Sequence, residues 1–280
     1  MTSPMVPAGP DALGLALGTD AMIEDGWLVR DLFAPPGLDG PPGVLQGGLA
    51  VGVTMAIARL ADRFGAPVTS VDARLHAPTP LGRTLQAAVR PSADTARYEV
   101  ETRDGDTLLV RAEVELAGHD VAARVYDLLE LGTVPLPEPE PQDRFPGCWV
   151  CGPEPTHPHG QRIHPRGHRP GEVTQPWVAD ECLGHDSGVI DPIVIAAVLD
   201  CPTVWAAIEH VDAMGLAGPL LGGFHLRFFR DAPVMDALRI VARLDDVDGR
   251  KIRARSALVD EDGVTYVTAA ALQVAVPAPS

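Results

Sequence analysis

Hydrophobic and polar residues alternate with period two along Val110-Arg111-Ala112-Glu113-Val114-Glu115-Leu116 and along Arg239-Ile240-Val241-Ala242-Arg243-Leu244. Successive side chains of a strand point to opposite faces, so both segments read as half-buried strands. The stretch from Gly48 to Ile57 has a different character, with no charged residue at all. That is the mark of a helix enclosed on most sides. The pattern predicts one helix over Gly48 to Phe64 and a second over roughly Pro192 to Met214.

Placed in order, the predicted elements occur twice. Each copy opens with a short Trp-containing strand, Trp27-Leu28-Val29 and then Trp177-Val178, followed by a Gly/Pro/Asp-rich loop and a helix. Strand candidates follow in matching sequence. Val71 to Pro80 corresponds to Phe224 to Pro233, Leu85–Arg90 to Leu238–Arg243, Thr95–Thr102 to Gly249–Ser256, and Thr107–Leu116 to Thr265–Val276. Asp104-Gly105 and Asp262-Gly263 are hairpin turns at equivalent places. Between the copies, Val134-Pro135-Leu136-Pro137-Glu138-Pro139-Glu140-Pro141 alternates proline, which removes backbone donors and favours an extended linker. The expected organisation is therefore an N-terminal unit over 1–133, a linker over 134–146 and a C-terminal unit over 147–280. A helix followed by antiparallel strands is buried when the sheet curls around it, so the fold class is α+β. The two units are expected to pack as an intramolecular pseudo-dimer.

Composition narrows the function. A net charge of −16 argues against general nucleic-acid binding, because an acidic chain repels a polyanion. Met1 to Pro10 lacks the basic start and apolar core of a signal peptide. The longest apolar stretches, such as Leu45 to Ile57, fall short of the roughly 20 residues that span a membrane. Cytoplasmic residence is the resulting expectation. Four cysteines are too few for a disulfide framework in a chain of 280 residues.

Three segments stand out chemically. Gln46-Gly47-Gly48 opens the first helix, where glycines admit a close backbone approach and helix N–H groups can stabilise an oxyanion. Asp200, in Ala196-Ala197-Val198-Leu199-Asp200-Cys201-Pro202, shares a helix face with Ile193, Ala196 and Ala197. An acid on so apolar a face is at least partly buried, which raises its pKa and suits it to base catalysis near neutrality. Pro202 cannot donate to the Val198 carbonyl, and Thr203 offers a hydroxyl beside the acid, so together they could position a water. Third, Cys148-Trp149-Val150-Cys151-Gly152-Pro153-Glu154 is followed by His157-Pro158-His159-Gly160.

These segments resemble the acyl-CoA thioesterases of the phenylacetate-pathway type and their double-hotdog relatives. The glycine loop, the Cys-x-x-Cys-Gly opening and the mid-helix acid carry the resemblance. Gln46 replaces the more usual His, Asn or Asp, and Ile190-Asp191-Pro192 replaces a second glycine loop. The resemblance implies hydrolysis of an acyl-CoA or acyl-carrier thioester at one composite cleft. There Asp200 would act as base or nucleophile, with Gln46 and Thr203 assisting and Gly47 or Gly48 binding the oxyanion. Arg227, Arg230 or Arg74 would meet the coenzyme A phosphates, and double-hotdog chains can pair further into homodimers. No membrane partner and no organic cofactor is implied.

Alternatives come from other residues. A non-catalytic acyl-thioester-binding protein suits copies that each hold an incomplete motif set. Asp180-x-x-x-x-His185 has the spacing of hotdog enoyl-CoA hydratases but lacks the accompanying Asn-Pro. Cys148 and Cys151 with His157, His159, His164 and His168 have the composition of a zinc site. A lone Cys-x-x-Cys with no second cysteine pair, and histidines at no standard spacing, reads instead as packing and a tight turn, with no metal.

Overall fold

The computed structural model describes residues 4–93, 96–119, 134–136, 138, 144–164, 166–185 and 187–277. Much of the proline-alternating linker lies outside them. The strands are β1 (Met5–Pro7), β2 (Ala16–Gly18), β3 (Met22–Glu24), β4 (Trp27–Phe33), β5 (Val68–Leu75), β6 (Thr84–Pro91), β7 (Arg97–Asp104) and β8 (Thr107–Leu116), then β9 (Gly167–Arg169), β10 (Glu172–Trp177), β11 (Gly218–Phe228), β12 (Leu238–Asp248), β13 (Lys251–Asp260) and β14 (Thr265–Val276). The α-helices are α1 (Gly47–Ala61), α2 (Pro192–Trp205) and α3 (Ile208–Ala213). No helix among the described residues is long and apolar enough to cross a membrane.

All strands join one antiparallel sheet, ordered β1-β2-β4-β6-β7-β8-β5-β11-β14-β13-β12-β10-β9, with β3 beside β4. β5 and β11 meet at the centre, where Ala73 opposes Phe224 and Val71 opposes Leu226. Outward from β5 the order is β8, β7, β6, β4; outward from β11 it is β14, β13, β12, β10. The two series thus list matched strands in the same order, although neither follows the order of strands along the chain. β8 and β14 begin and end where the correspondence between the two halves of the sequence placed them.

The sheet encloses α1 and α2. Eleven consecutive residues of each, Gly48 to Ala58 and Ile193 to Thr203, are buried. The helices run antiparallel and cross closely, because glycines replace side chains where α1 meets α2. A β-carbon on Gly48 would fall 2.3 Å from the Ala196 carbonyl oxygen, and one on Gly52 would fall 2.7 Å from Ile193 Cα. Neither site can yield, since the atoms opposed are backbone.

Two helix ends depart from expectation. α1 stops at Ala61, short of Phe64, because Asp62 turns extended and its carboxylate accepts the Ala66 N–H at 2.9 Å, the Phe64 N–H at 3.2 Å and the Tyr98 hydroxyl at 3.1 Å. The second helix is interrupted instead of running to Met214. Pro202 lies inside α2, and one turn later Ala207 N–H bonds to Val204 O in a tightened turn before α3 begins. β5 likewise ends at Leu75, well before Pro80.

The crossing predicts a cost for any side chain there. Gly52→Ala should lower unfolding stability by about 1–3 kcal/mol, the usual range for overpacking, read as a reduced urea midpoint with an unchanged m-value.

Candidate functional site

The antiparallel crossing brings the start of α1 against the end of α2. Gln46 is the N-cap of α1, and its Oε1 accepts the Leu49 N–H at 2.8 Å. A backbone N–H can only donate, so this contact fixes the amide orientation and turns Nε2 toward α2. That nitrogen donates to Asp200 Oδ2 at 2.7 Å. The Gly48 N–H donates to the same oxygen at 3.0 Å. Asp200 therefore caps the N-terminus of the opposite helix, where unpaired N–H groups and the helix dipole favour negative charge.

The second carboxylate oxygen faces β14. Gln273 Nε2 donates to Asp200 Oδ1 at 2.8 Å and to Thr203 Oγ1 at 3.0 Å. The Thr203 hydroxyl donates to the Asp200 carbonyl oxygen at 2.7 Å, so toward Gln273 it can only accept. This fixes the second amide as well. Gln273 Oε1 is then left buried, with no hydrogen-bond partner among the described residues.

Asp200 is 5% exposed. Burial pushes its pKa up, while the donors Gln273, Gly48 and Gln46 pull it back, and the balance is about 7. Without those donors the carboxylate would carry the full desolvation penalty of a buried charge.

The acid opens onto a cavity of about 250 Å³. Its walls are mostly apolar, among them Val44, Leu75, Leu220 and Val204, and Phe145 and Trp205 stack edge to face at 5.8 Å. Gly47 lines it in the first turn of α1, where no intrahelical acceptor exists for its N–H. A β-carbon on Gly47 would approach Asp200 Oδ2 to 2.9 Å and Leu221 Cβ to 2.8 Å, so glycine is what lets the acid reach the loop.

Of the residues singled out in the sequence, Asp200, Gln46, Gly47 and Gly48 converge. The Gly48 N–H is committed to Asp200, and Gly47 stands in the cavity wall. Thr203 is fully buried behind the acid and holds Gln273. Gln273 itself was not singled out. Its signal was a polar side chain in mid-strand on the inward parity of β14, in line with Val267, Ala269, Ala271 and Ala275, all buried.

Other candidates go elsewhere. Arg74, Arg227 and Arg230 lie outside the lining of this cavity, and Arg227 stacks on Phe229. His185 turns to Asp191, with Nε2 2.9 Å from Oδ2, so the Asp180–His185 pairing of the hydratase pattern is replaced by another. Asp180 groups with His159 and Cys182 near the surface. The helical position equivalent to Asp200, nine residues into α1, is the buried Met55. Only one of the two helices thus supplies an acid at this depth.

No known family profile matches the sequence, and no curated protein does. Solved structures do match in shape over nearly the whole chain. An acyl-CoA thioesterase II from Mycobacterium marinum is 11% identical with a TM-score of 0.62, covering 93% of this chain and 96% of its own. A protein with hot dog fold from Alicyclobacillus acidocaldarius is 13% identical with a TM-score of 0.60, covering 94% and 97%. This chain has the hotdog fold. The dehydratase domain of the polyketide PpsC from Mycobacterium tuberculosis is 14% identical with a TM-score of 0.62, covering 92% and 97%. Fold likeness therefore reaches both hydrolases and dehydratases, and the side chains around Asp200 must decide between them.

Gln46 both caps α1 and contacts the acid. Gln46→Ala should cost about 1–2 kcal/mol, the range for losing an N-cap, measured by chemical unfolding without any ligand. Leu49→Ala, which keeps the cap, serves to separate lost packing from lost capping.

Proposed function

We propose that this chain is a thioester hydrolase acting on acyl-CoA or acyl-carrier substrates, with Asp200 as the general base. The observation that carries the reading is the buried acid held by three donors in the wall of an apolar cavity. Two hotdog units, 1–133 and 147–280 joined by the linker 134–146, would form the intramolecular pseudo-dimer, and the cleft would be composite. The first unit gives Gln46, Gly47 and Gly48; the second gives Asp200, Thr203 and Gln273. The matching strand order on either side of β5 and β11 supports this division.

The chemistry follows from the atoms available. A water held between Asp200 and the free Gln273 Oε1 gives its proton to the carboxylate as its oxygen attacks the thioester carbonyl carbon. Charge that develops on the carbonyl oxygen meets the Gly47 N–H at the positive end of α1. The carbon–sulfur bond then breaks, and the thiolate takes the proton from Asp200 as it leaves. An acid whose pKa lies near neutrality is matched to taking and returning a proton. The apolar walls suit an acyl chain, with the coenzyme or carrier arm toward solvent.

A thiol-release screen over short, long, branched and aromatic acyl-CoAs tests this directly. Asp200→Asn should lower kcat about 10²–10⁴-fold, as expected for a lost general base, while the acyl-CoA still raises the melting temperature. Wild-type turnover in Asp200→Asn would overturn the base assignment. Thermal stabilisation by acyl-CoA with no thiol released by the wild type would make the chain a non-catalytic acyl-thioester-binding protein instead. Water addition to a trans-2-enoyl-CoA, without hydrolysis, would favour a hydratase.

A further inference from the structure

Beside Asp200 the fold assembles a group of atoms that thioester hydrolysis does not use. Cys148 and Cys151 lie in a tight turn before β9, and Cys201 follows Asp200 on α2. Their sulfurs all lie within 4.8 Å of one another, and Cys148 Sγ is 3.7 Å from Cys201 Sγ. All three residues are buried, and all three line the same cavity as Asp200.

We propose that Cys148, Cys151 and Cys201 form a three-thiolate site for a thiophilic divalent cation of the zinc class, with its fourth position toward the cavity. The first argument is spacing. A tetrahedral ion with metal–sulfur bonds of about 2.3 Å separates its sulfurs by about 3.8 Å. A disulfide would need about 2.05 Å, and it would leave the third sulfur without a role.

The second argument is how the turn is built. Gly152 N–H closes it on the Cys148 carbonyl at 2.9 Å. A β-carbon on Gly152 would fall 2.4 Å from Pro146 O and 2.6 Å from Cys148 N, so only glycine permits this winding. The winding aims the backbone N–H groups of Val150 and Cys151 at the Cys148 sulfur. Such donors stabilise a thiolate, the form that binds metal. Further donors approach from the side chains. Gln46 Nε2 is 3.6 Å from Cys201 Sγ, and the buried Trp205 Nε1, with no hydrogen-bond partner among the described residues, belongs to a side chain lining the same cavity. Donors at the sulfurs are the outer-shell arrangement that tunes a thiolate site.

The third argument concerns the fourth ligand. Asp200 is held by Gln46 and Gly48 at Oδ2 and by Gln273 at Oδ1, which turns its carboxylate toward those donors, and indole nitrogens cannot coordinate. The remaining position falls to a water or a small ligand from the cavity, the open geometry of zinc sites with three protein ligands. Three thiolates and one dication leave a single negative charge, far less than three bare buried thiolates would carry. His159, one of the histidines that the sequence associated with this segment, pairs instead with Cys182 at 3.4 Å near the surface.

The site stands independently of thioester hydrolysis, and its test needs no substrate. The reduced full-length chain, stripped with a chelator, is titrated with Cd²⁺ and Co²⁺. One equivalent should bind per chain with a thiolate-to-metal charge-transfer band and a rise in melting temperature. Cys148→Ser, Cys151→Ser and Cys201→Ser should each weaken binding by more than the about 10–100-fold that losing an outer-shell partner costs. Cys182→Ser should bind as the wild type does. Should the serine variants fail to fold, X-ray absorption of the zinc-loaded wild type decides, with three sulfurs at about 2.3 Å expected. Fewer than three sulfurs in the shell, no charge-transfer band, or a band that vanishes in Cys182→Ser would each overturn the assignment.

Discussion

The close crossing of α1 and α2 governs everything else in this protein. Two backbones approach because Gly48 and Gly52 present no β-carbon to Ala196, Ala197 and Ile193. With an ordinary side chain at either place the helices would move apart, and the N-terminus of α1 would no longer reach Asp200. One steric fact thus serves both packing and chemistry. The same contact that closes the core puts a carboxylate at the positive end of a helix.

That placement resolves an energetic difficulty. A buried carboxylate is costly unless hydrogen-bond donors meet it. Here Gln46, the Gly48 N–H and Gln273 provide the donors, and Thr203 fixes the last of them. A pKa raised to about 7 reflects burial outweighing the hydrogen bonds that pull it down. A more solvated acid would be a weak base, and a more thoroughly buried one would stay protonated. The equivalent place in α1 shows the cheaper solution, an apolar Met55 that needs no partner.

The cavity wall carries two kinds of unusual side chain within a few residues of each other, an acid and a cluster of thiols. Both are reached through α2, at consecutive positions Asp200 and Cys201. On a helix, neighbouring residues point in directions about 100° apart, so one turn of chain addresses the α1 terminus with one side chain and the Cys148–Cys151 turn with the next. Gln46 touches both groups, through Asp200 and at longer range through the Cys201 sulfur.

Local pattern by itself indicated the long strands β5 to β8 and β11 to β14 and the two central helices, in order, because period-two alternation and an uncharged helical run are written in neighbouring residues. The short strands β1, β2, β3 and β9 were not anticipated, and β10 ends at Trp177 where the sequence had placed a strand start. It also marked Asp200 and the Gln46-Gly47-Gly48 loop, since an acid on an apolar face and glycines before a helix are local anomalies. Helix ends were less legible. The stop at Ala61 depends on Asp62 reaching Tyr98 in another strand, and the break before α3 depends on how the chain turns after Pro202. Gln273 and Cys201 were invisible as partners for a related reason. Each is ordinary in its own element and acquires meaning only from side chains far along the chain. Tertiary structure alone decided that a strand glutamine would hold the acid and that three cysteines would share one corner of the cavity. Those contacts are set by sheet order and by the distance between two helices, quantities that no stretch of neighbouring residues encodes.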